Sequence, residues 1–366
     1  MRQILGTAMM PHGPHPMRIV IDGDRIASVT ADSTAGGHGA PLILPGFIDL
    51  HCHGGGGDDV MDAGGAAARI AAMHAHSGTT AMLATTMTAR VDQIHSALTD
   101  IARAMAMPAT DAAAILGVHL EGPFISPDML GAQPPHARVI DARLLAAFHA
   151  IAPIMVMTYA PEADPDCLLP GLARALGIQA QLGHSPCSYD TARRAFDRGA
   201  SGTTHLFNAM SGLHHRAPGL VGAALAHAGH AEVIPDLLHV HPGAIRAALR
   251  AIPGLFAVTD ATRATGMPDG TYPFGDGTAT KCGNGIRLPD GTLAGSCLTM
   301  LQAFRNLVDI DLPPAKAARR CATVQADYLG LTDRGRIVPG ALADLVVLGG
   351  DLSLQEVILR GRALPG

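Results

Sequence analysis

The chain has 366 residues, 48% of them hydrophobic and 16% charged, with 26 basic against 31 acidic side chains and a net charge of −5. That length and apolar content supply ample volume for a buried core and exclude disorder, and a mild negative charge without a Lys/Arg stripe excludes a nucleic-acid partner. No uncharged apolar run reaches the ~18 residues of a membrane span, and the opening MRQILGTAMMPHG lacks the apolar core of a secretory leader, so a cytoplasmic protein with no membrane partner is expected.

Two strand-like runs, RQILGTAMM and MRIVIDGDRIASVT, open the chain, the second turning at Asp22-Gly23, a dipeptide suited to a tight hairpin. Eight apolar runs then alternate with Ala-rich helical stretches: LILPGFIDLHCH, TTAMLATT, ILGVHLEGPF, PIMVMTYAPE, IQAQLGHS, GTTHLFNAM, EVIPDLLHV and LFAVTDA. SYDTARRAFDRG typifies the segments between them, with Ser188 as an N-cap and Gly199 beyond the C-terminus. Eight βα units over about 280 residues predict an α/β fold, a (β/α)8 TIM barrel whose active site lies at the C-terminal strand ends. A doubly wound open sheet is the competing architecture. No GxGxxG or GxxxxGKS/T follows any strand, which removes its usual nucleotide reading. The Gly-, Asp- and Pro-rich GMPDGTYPFGDGTATKCGNGIRLPDGTLAGS reads as a β-hairpin insertion near 266–295 over the barrel mouth, a candidate lid. Two helices, around LTMLQAFRNLV and AKAARRCATVQADYLGL, lead to a closing segment as β-rich as the opening one. Residues 1–44 and 335–366 are therefore expected to form one small β-sandwich domain, with the barrel spanning 45–334.

Aromatic residues make up only 3% of the chain and Trp is absent, whereas there are 19 histidines. Chemistry should therefore rest on imidazoles and carboxylates rather than on stacking platforms. Six scattered cysteines without a CxxC pair read as reduced structural thiols. His51, His53, Glu121, His184, His205, His239 and Asp260 fall at or near the ends of different runs, and imidazole with carboxylate is the donor chemistry of a catalytic zinc-type site. His51 and His53 leave the same face of a strand and meet Gly54 to Gly57, where backbone and ligand can approach closely. By contrast, His74 and His76 lie on a helical pattern that turns them apart, and they read as solvated or packing side chains. Glu121 ends an apolar strand, where a carboxylate must be satisfied by a neighbouring backbone group, by an Arg or by a metal. Asp260 either caps the next helix or belongs to the site. Lys281 and Lys316 are the chain's two lysines and neither ends a strand run, so a carboxylated lysine cannot bridge two metals here; Glu121 is the evident substitute.

PGFIDLHCHG, HLEGP, GHS, GTTHLFNAM, the histidine in PDLLHVHP, VTDA, LAGS and ADLVVL together resemble the N-acetylglucosamine-6-phosphate deacetylases of the amidohydrolase superfamily over nearly the whole chain. HxH with ADLVV marks the superfamily, whereas HLEGP with THLFNAM and LAGS is close to family-specific. The resemblance implies hydrolysis of an acetamide on N-acetylglucosamine 6-phosphate to glucosamine 6-phosphate and acetate, in amino-sugar catabolism or recycling. It implies one or two divalent metal ions per subunit, Zn first and Fe, Co or Mn as alternatives. Glu121, His184 and His205 match the main metal ligands, and His51 and His53 match the extra pair of two-metal members. Asp260 matches the catalytic acid/base and His239 the histidine at the substrate carbonyl. Asn208, Ala209 and Arg216 match the sugar-phosphate contacts, with Arg216 given across a homodimer interface, and Leu293, Ala294 and Gly295 match a substrate-lining loop. Ala132 and Gln133 fall on a further substrate-binding stretch, but the family's histidine there is replaced by Gln133, with His136 displaced nearby. The family's Asp-Gly before the later histidine is likewise altered to Asp236-Leu237. These departures bear on the choice of sugar, and N-acetylgalactosamine 6-phosphate or another N-acyl substrate is the alternative. A non-catalytic homologue that binds metal or sugar phosphate is the alternative of another class, and retention of Asp260 and every ligand position argues against it. A glycosidase is opposed by the lack of aromatic platforms and of an opposed carboxylate pair.

Overall fold

The computed structural model of the protein describes residues 1–37 and 39–364. Both ends of the chain enter a seven-stranded sheet, in the order Arg362–Ala363, Leu354–Leu359, Leu345–Leu348, Leu42–Pro45, Arg2–Met10, Gly13–Asp22, Arg25–Ala31. The two ends meet at Leu42–Pro45, which runs antiparallel to Leu345–Leu348 and parallel to Arg2–Met10. Alternation of side chains along each strand divides the apolar residues between two faces. Ile4, Ile19, Ile21, Ile43, Leu345, Val347 and Ile358 fill a small core of their own. Their neighbours Leu44, Val346, Leu348 and Val357 face the main body.

The run LILPGFIDLHCH, expected as one strand, is two. Gly46 donates its N–H to Asp344 in the terminal sheet, and the next residue, Phe47, donates to Gly78 in the main body. The backbone passes so close to Thr80 that a Cβ at position 46 would lie 2.4 Å from it, so glycine is required where the chain changes sheets.

The main body is an α/β fold built on a curled parallel sheet. Six strands, Phe47–Cys52, Thr79–Thr86, Ala114–Glu121, Ile154–Tyr159, Gln179–Leu182 and Gly202–Thr203, pair in sequence order, and His230–Val233 pairs with Gly254–Ala257. Backbone bonds join the edges: Leu206 donates to Glu232 at 2.9 Å, Asp260 donates to His51 at 2.8 Å, and His53 and Gly54 donate to Ala261 at 2.9 and 2.8 Å. Thr79–Thr86 is buried at every position, as a parallel strand covered on both faces must be. Helices on the outside follow from local signals. In Val91–Ala106 the buried Ile94, Ala97, Leu98 and Ile101 form one helical stripe, and Ser188 caps Tyr189–Asp197 through the N–H of Thr191.

The insertion expected as a hairpin is a three-stranded antiparallel sheet, Gly270–Phe274, Gly277–Cys282 and Gly285–Arg287. Phe274, Ala279, Ile286 and Ala294 pack with Met87 and Ala264, which seats it over the carboxyl ends of the parallel strands. Among the described residues no helix is long and apolar enough to cross a membrane.

Candidate active site

The candidate residues converge where the parallel strands end. Glu121 is the last residue of its strand, while His53, His184, His205 and Asp260 lie just beyond theirs. The turn that aims them inward is steep: His184, His205, Phe207, Ala209, Leu237 and Asp260 all have positive φ, between 27° and 82°. Side-chain-bearing residues avoid that region unless the surroundings hold them there, and such strain gathers at functional sites.

Glu121 sits between two imidazole pairs. Its Oε1 lies 3.1 Å from His184 Nε2 and 3.0 Å from His205 Nε2, and these two nitrogens are 3.1 Å apart. On the other side, His51 Nε2 and His53 Nε2 are also 3.1 Å apart, and Asp260 Oδ1 lies 3.5 and 3.2 Å from them. Glu121 Oε2 reaches His53 Nε2 at 3.2 Å.

The other ring nitrogens decide what these Nε2 atoms can be. His51 Nδ1 faces Glu232 Oε2 at 2.9 Å, His53 Nδ1 the carbonyl of Thr85 at 3.2 Å, and His184 Nδ1 the carbonyl of Met129 at 3.1 Å. Each partner only accepts, so each Nδ1 donates and each neutral ring presents a bare lone pair at Nε2. The lone pairs of His51 and His53 at 3.1 Å repel, as do those of His184 Nε2 and Glu121 Oε1, unless a proton or a cation lies between them. Both donor sets, Glu121/His184/His205 and His51/His53/Asp260, therefore fit a divalent cation, and each brings its ligand atoms within 4.8 Å of one another.

Charge tells the same story. Burial opposes ionisation of every group here, yet His51 and His53 draw Asp260 down to about 2, and Asp260 with Glu121 holds His53 up to about 9. Burial likewise works against Glu121, but His51, His184 and His205 hold it well below the carboxylate range. The anionic carboxylates demand positive charge, and imidazolium protons supply it when no cation does.

A layer of buried groups lies behind these side chains; of these, sequence reasoning missed Glu232 and did not connect Asp236 with His239. Glu232 is fully buried; its Oε2 accepts from His51 Nδ1 and from the N–H of His205 at 3.2 Å, touching a member of each ligand set. Asp236 holds His239 by Nδ1 at 2.7 Å and accepts the N–H groups of Leu238 and His239 at 2.9 Å each. His119 is structural: its ring spans the Leu50 carbonyl and Thr158 Oγ1, and burial pushes it down to about 4. His74, on the helix Ala66–Ala75, is buried against the Gly54 carbonyl, away from the site.

A cavity of about 200 Å³ opens over these side chains. His53, Glu121, Ala132, Gln133, His184, His205, Asn208, Ala209, His239, Asp260, Leu293 and Gly295 line it, as do Met87, Gly131, Phe274 and Thr292, which the sequence did not single out. His51 lies beneath the wall and Ala294 is packed in the insertion's core. Arg216 is not brought to the cavity: it stands on an exposed loop, bonded to His215 Nε2 at 2.8 Å. Gln133 touches Glu121 directly. Its Oε1 accepts the N–H of Thr88 at 2.7 Å, which turns its Nε2 to donate to Glu121 Oε2.

Buried imidazoles around a carboxylate at the carboxyl ends of a curled parallel sheet are the arrangement of metal-dependent hydrolases built on α/β scaffolds. Residues 42–364 match the amidohydrolase family. N-acetylglucosamine-6-phosphate deacetylase of Bacillus subtilis (strain 168) is 39% identical, covering 87% of this chain and 84% of the relative. N-acetylgalactosamine-6-phosphate deacetylase of Escherichia coli O157:H7 is 36% identical over 88% of both. A variant of N-acetyl-D-glucosamine-6-phosphate deacetylase from Mycobacterium smegmatis, solved in complex with N-acetyl-D-glucosamine-6-phosphate, superposes with a TM-score of 0.92 at 31% identity, covering 100% of both chains. The chain belongs to the amidohydrolase family, and within it to the N-acetylglucosamine-6-phosphate deacetylases.

Proposed function

We propose that this chain hydrolyses the acetamide of N-acetylglucosamine 6-phosphate, giving glucosamine 6-phosphate and acetate. The observation that carries the reading is the opposition of lone pairs around Glu121 in a cavity that also presents Asp260 and His239. Glu121, His184 and His205 would hold a divalent ion, Zn first and Fe, Co or Mn as alternatives, and His51, His53 and Asp260 a second; such an ion would supply Lewis acidity at the carbonyl and lower the pKa of water toward about 7. Asp260 takes the proton of the attacking water on its carboxylate and returns it to the amide nitrogen as the C–N bond breaks. His239, turned by Asp236 at Nδ1, directs Nε2 to the carbonyl oxygen and donates to it when the ring carries both protons. Asn208 and Ala209 bind the sugar phosphate, Ala132 and Gln133 line its other side, and the loop of Leu293, Ala294 and Gly295 covers it. We infer likewise that the curled sheet is a complete (β/α)8 barrel, supported by the bonds that join its edges, and that the terminal sheet folds over its own core as a small β-sandwich. A phosphorylated sugar does not cross a bilayer unaided, which puts the enzyme with its substrate in the cytoplasm.

Acetate release tests the reading, with N-acetylglucosamine 6-phosphate, its galactose epimer and the unphosphorylated sugar, each with and without chelator. The expected result is chelator-sensitive release, fastest from the first; no release from either phosphorylated sugar sinks it. Gln133 and the Escherichia coli relative keep the epimer in the comparison. Exposure of Arg216 supports a homodimer in which it reaches the partner's phosphate site. Mixing inactive Arg216→Ala and Asp260→Asn subunits should then restore up to about a quarter of the wild-type rate, because half of the dimers regain one complete site. No recovery after verified subunit exchange places Arg216 in its own chain's site or in none.

A further inference from the structure

We propose that the face of the curled sheet opposite the catalytic cavity carries a second binding site, for a small phosphorylated molecule. The inference is independent of the deacetylase reading. A cavity of about 630 Å³ lies there, larger than the catalytic one and within the range of small-molecule sites. Its walls come from the helix Pro242–Ala251, the turn after Met300–Asp309 and the helical run that begins at Pro314. Its position is set by Arg320, whose guanidinium donates to the carbonyls of Pro253 and Leu255, where the strand Gly254–Ala257 begins; the catalytic Asp260 follows the other end of that strand.

Charge identifies the ligand class. Arg246, Arg250, Lys316, Arg319 and Arg320 line the cavity against a single carboxylate, Asp311, in a chain whose net charge is −5. Asp311 is taken by Arg246 at 2.6 Å. Among the described residues, the side chains of Arg250, Lys316 and Arg319 have neither an ion pair nor a hydrogen-bond acceptor. Helix-end electrostatics explain Arg250, in the last turn of its helix, but not the other three. Lys316 lies in the first turn of the continuous helical run Pro314–Tyr328, where positive charge is disfavoured, and Arg319 and Arg320 follow in the second turn. Arg319–Thr323 is moreover a π-helical turn, a rare form that gathers at functional sites. Burial and the neighbouring Arg319 push the Arg320 guanidinium down to about 10. The cations converge on one concavity instead of following a stripe, which favours a compact ligand over a nucleic acid. Phosphate, with its multiple charges and acceptors, matches several guanidinium groups at once.

The test is calorimetric titration of fructose 1,6-bisphosphate, as probe, into the metal-loaded full chain, into Arg250→Gln/Lys316→Gln and into Arg319→Gln. The double variant alters exposed side chains remote from the catalytic cavity, so it should fold and keep its acetate-releasing activity. Saturable binding that weakens at least about tenfold in the double variant, weakens further with salt, and falls in Arg319→Gln supports the site. A smaller loss in the double variant, which would put the probe elsewhere, or no saturable binding at millimolar probe, overturns it.

Discussion

The amino-terminal hairpins and the carboxyl-end rim of the curled sheet are organised by opposite rules. In the hairpins, positive φ falls on Gly13 and Gly23 at the turns, apolar side chains alternate to one face, and charge stays near the surface, as in the Arg18–Asp32 pair. At the rim, six residues with side chains hold positive φ, and Glu121, Glu232, Asp260 and His51 are buried together. The first region is locally consistent and adds stability. The second departs from local preference at almost every functional position, and is held there by the rest of the fold. Mutations in the two should therefore separate activity from stability.

The largest expected effect is at the rim. Asp260→Asn keeps the shape but cannot take a proton, so turnover should fall by about a thousandfold, while the metal at Glu121, His184 and His205 is retained and the melting temperature does not drop. Turnover within about tenfold of wild type would remove Asp260 from the acid/base role. Glu232→Gln comes next. Its amide N–H can face His51 Nδ1, which turns the ring to carry its proton on Nε2 and takes away a ligand lone pair. Metal affinity measured by chelator competition should fall about 10- to 100-fold. Glu232→Asp tests the same point from the other side, restoring part of the affinity if the carboxylate orients His51. In the hairpins, Ile19→Ala empties a fully buried position and should cost about 2–4 kcal/mol in denaturant unfolding. Activity per folded molecule should not change. A variant that loses turnover in proportion to stability would show that the two regions are coupled, and the comparison would fail.

The difference between the regions also sets what sequence could reveal. Strand-end motifs such as HLEGP and THLFNAM were legible because each packs several unusual residues into a short window. Glu232 was not singled out, although a lone carboxylate in the apolar run EVIPDLLHV carries the same signal that pointed to Glu121. Its partner His51 lies 181 residues away, so only folding pairs them. The break at Gly46 was hidden because both flanks are apolar, yet LILPGFIDLHCH is about twice the length of an ordinary strand, and that excess was a usable sign. Phe274 has no local signature; it lines the cavity because the insertion folds back over the strand ends, where it packs against Met87, the residue that follows Thr79–Thr86. Arg216 was singled out only through resemblance, and a single chain leaves it outside the cavity.

The smallest expected effect tests the hairpins by charge alone. Asp32 accepts from Arg18 at 2.7 Å and from the N–H and hydroxyl of Thr34, and these bonds, with Thr34 Oγ1 first, lower its pKa from 3.8 to about 2. A folded-state pKa below the unfolded one means that the ionised form favours folding. The contribution is present above the unfolded value, and disappears as pH falls through the folded one. Asp32→Asn keeps an acceptor for Thr34 and removes only the charge. The variant should unfold slightly more easily than wild type at neutral pH, and the gap should close between about pH 4 and pH 2. Because the pair is at the surface, the gap should also narrow with salt. A gap that persists unchanged below about pH 2 would assign the loss to Asp32's hydrogen bonds and not to its charge. The hairpins would then share the rim's dependence on exact bond geometry, and the contrast between the regions would rest on backbone strain alone.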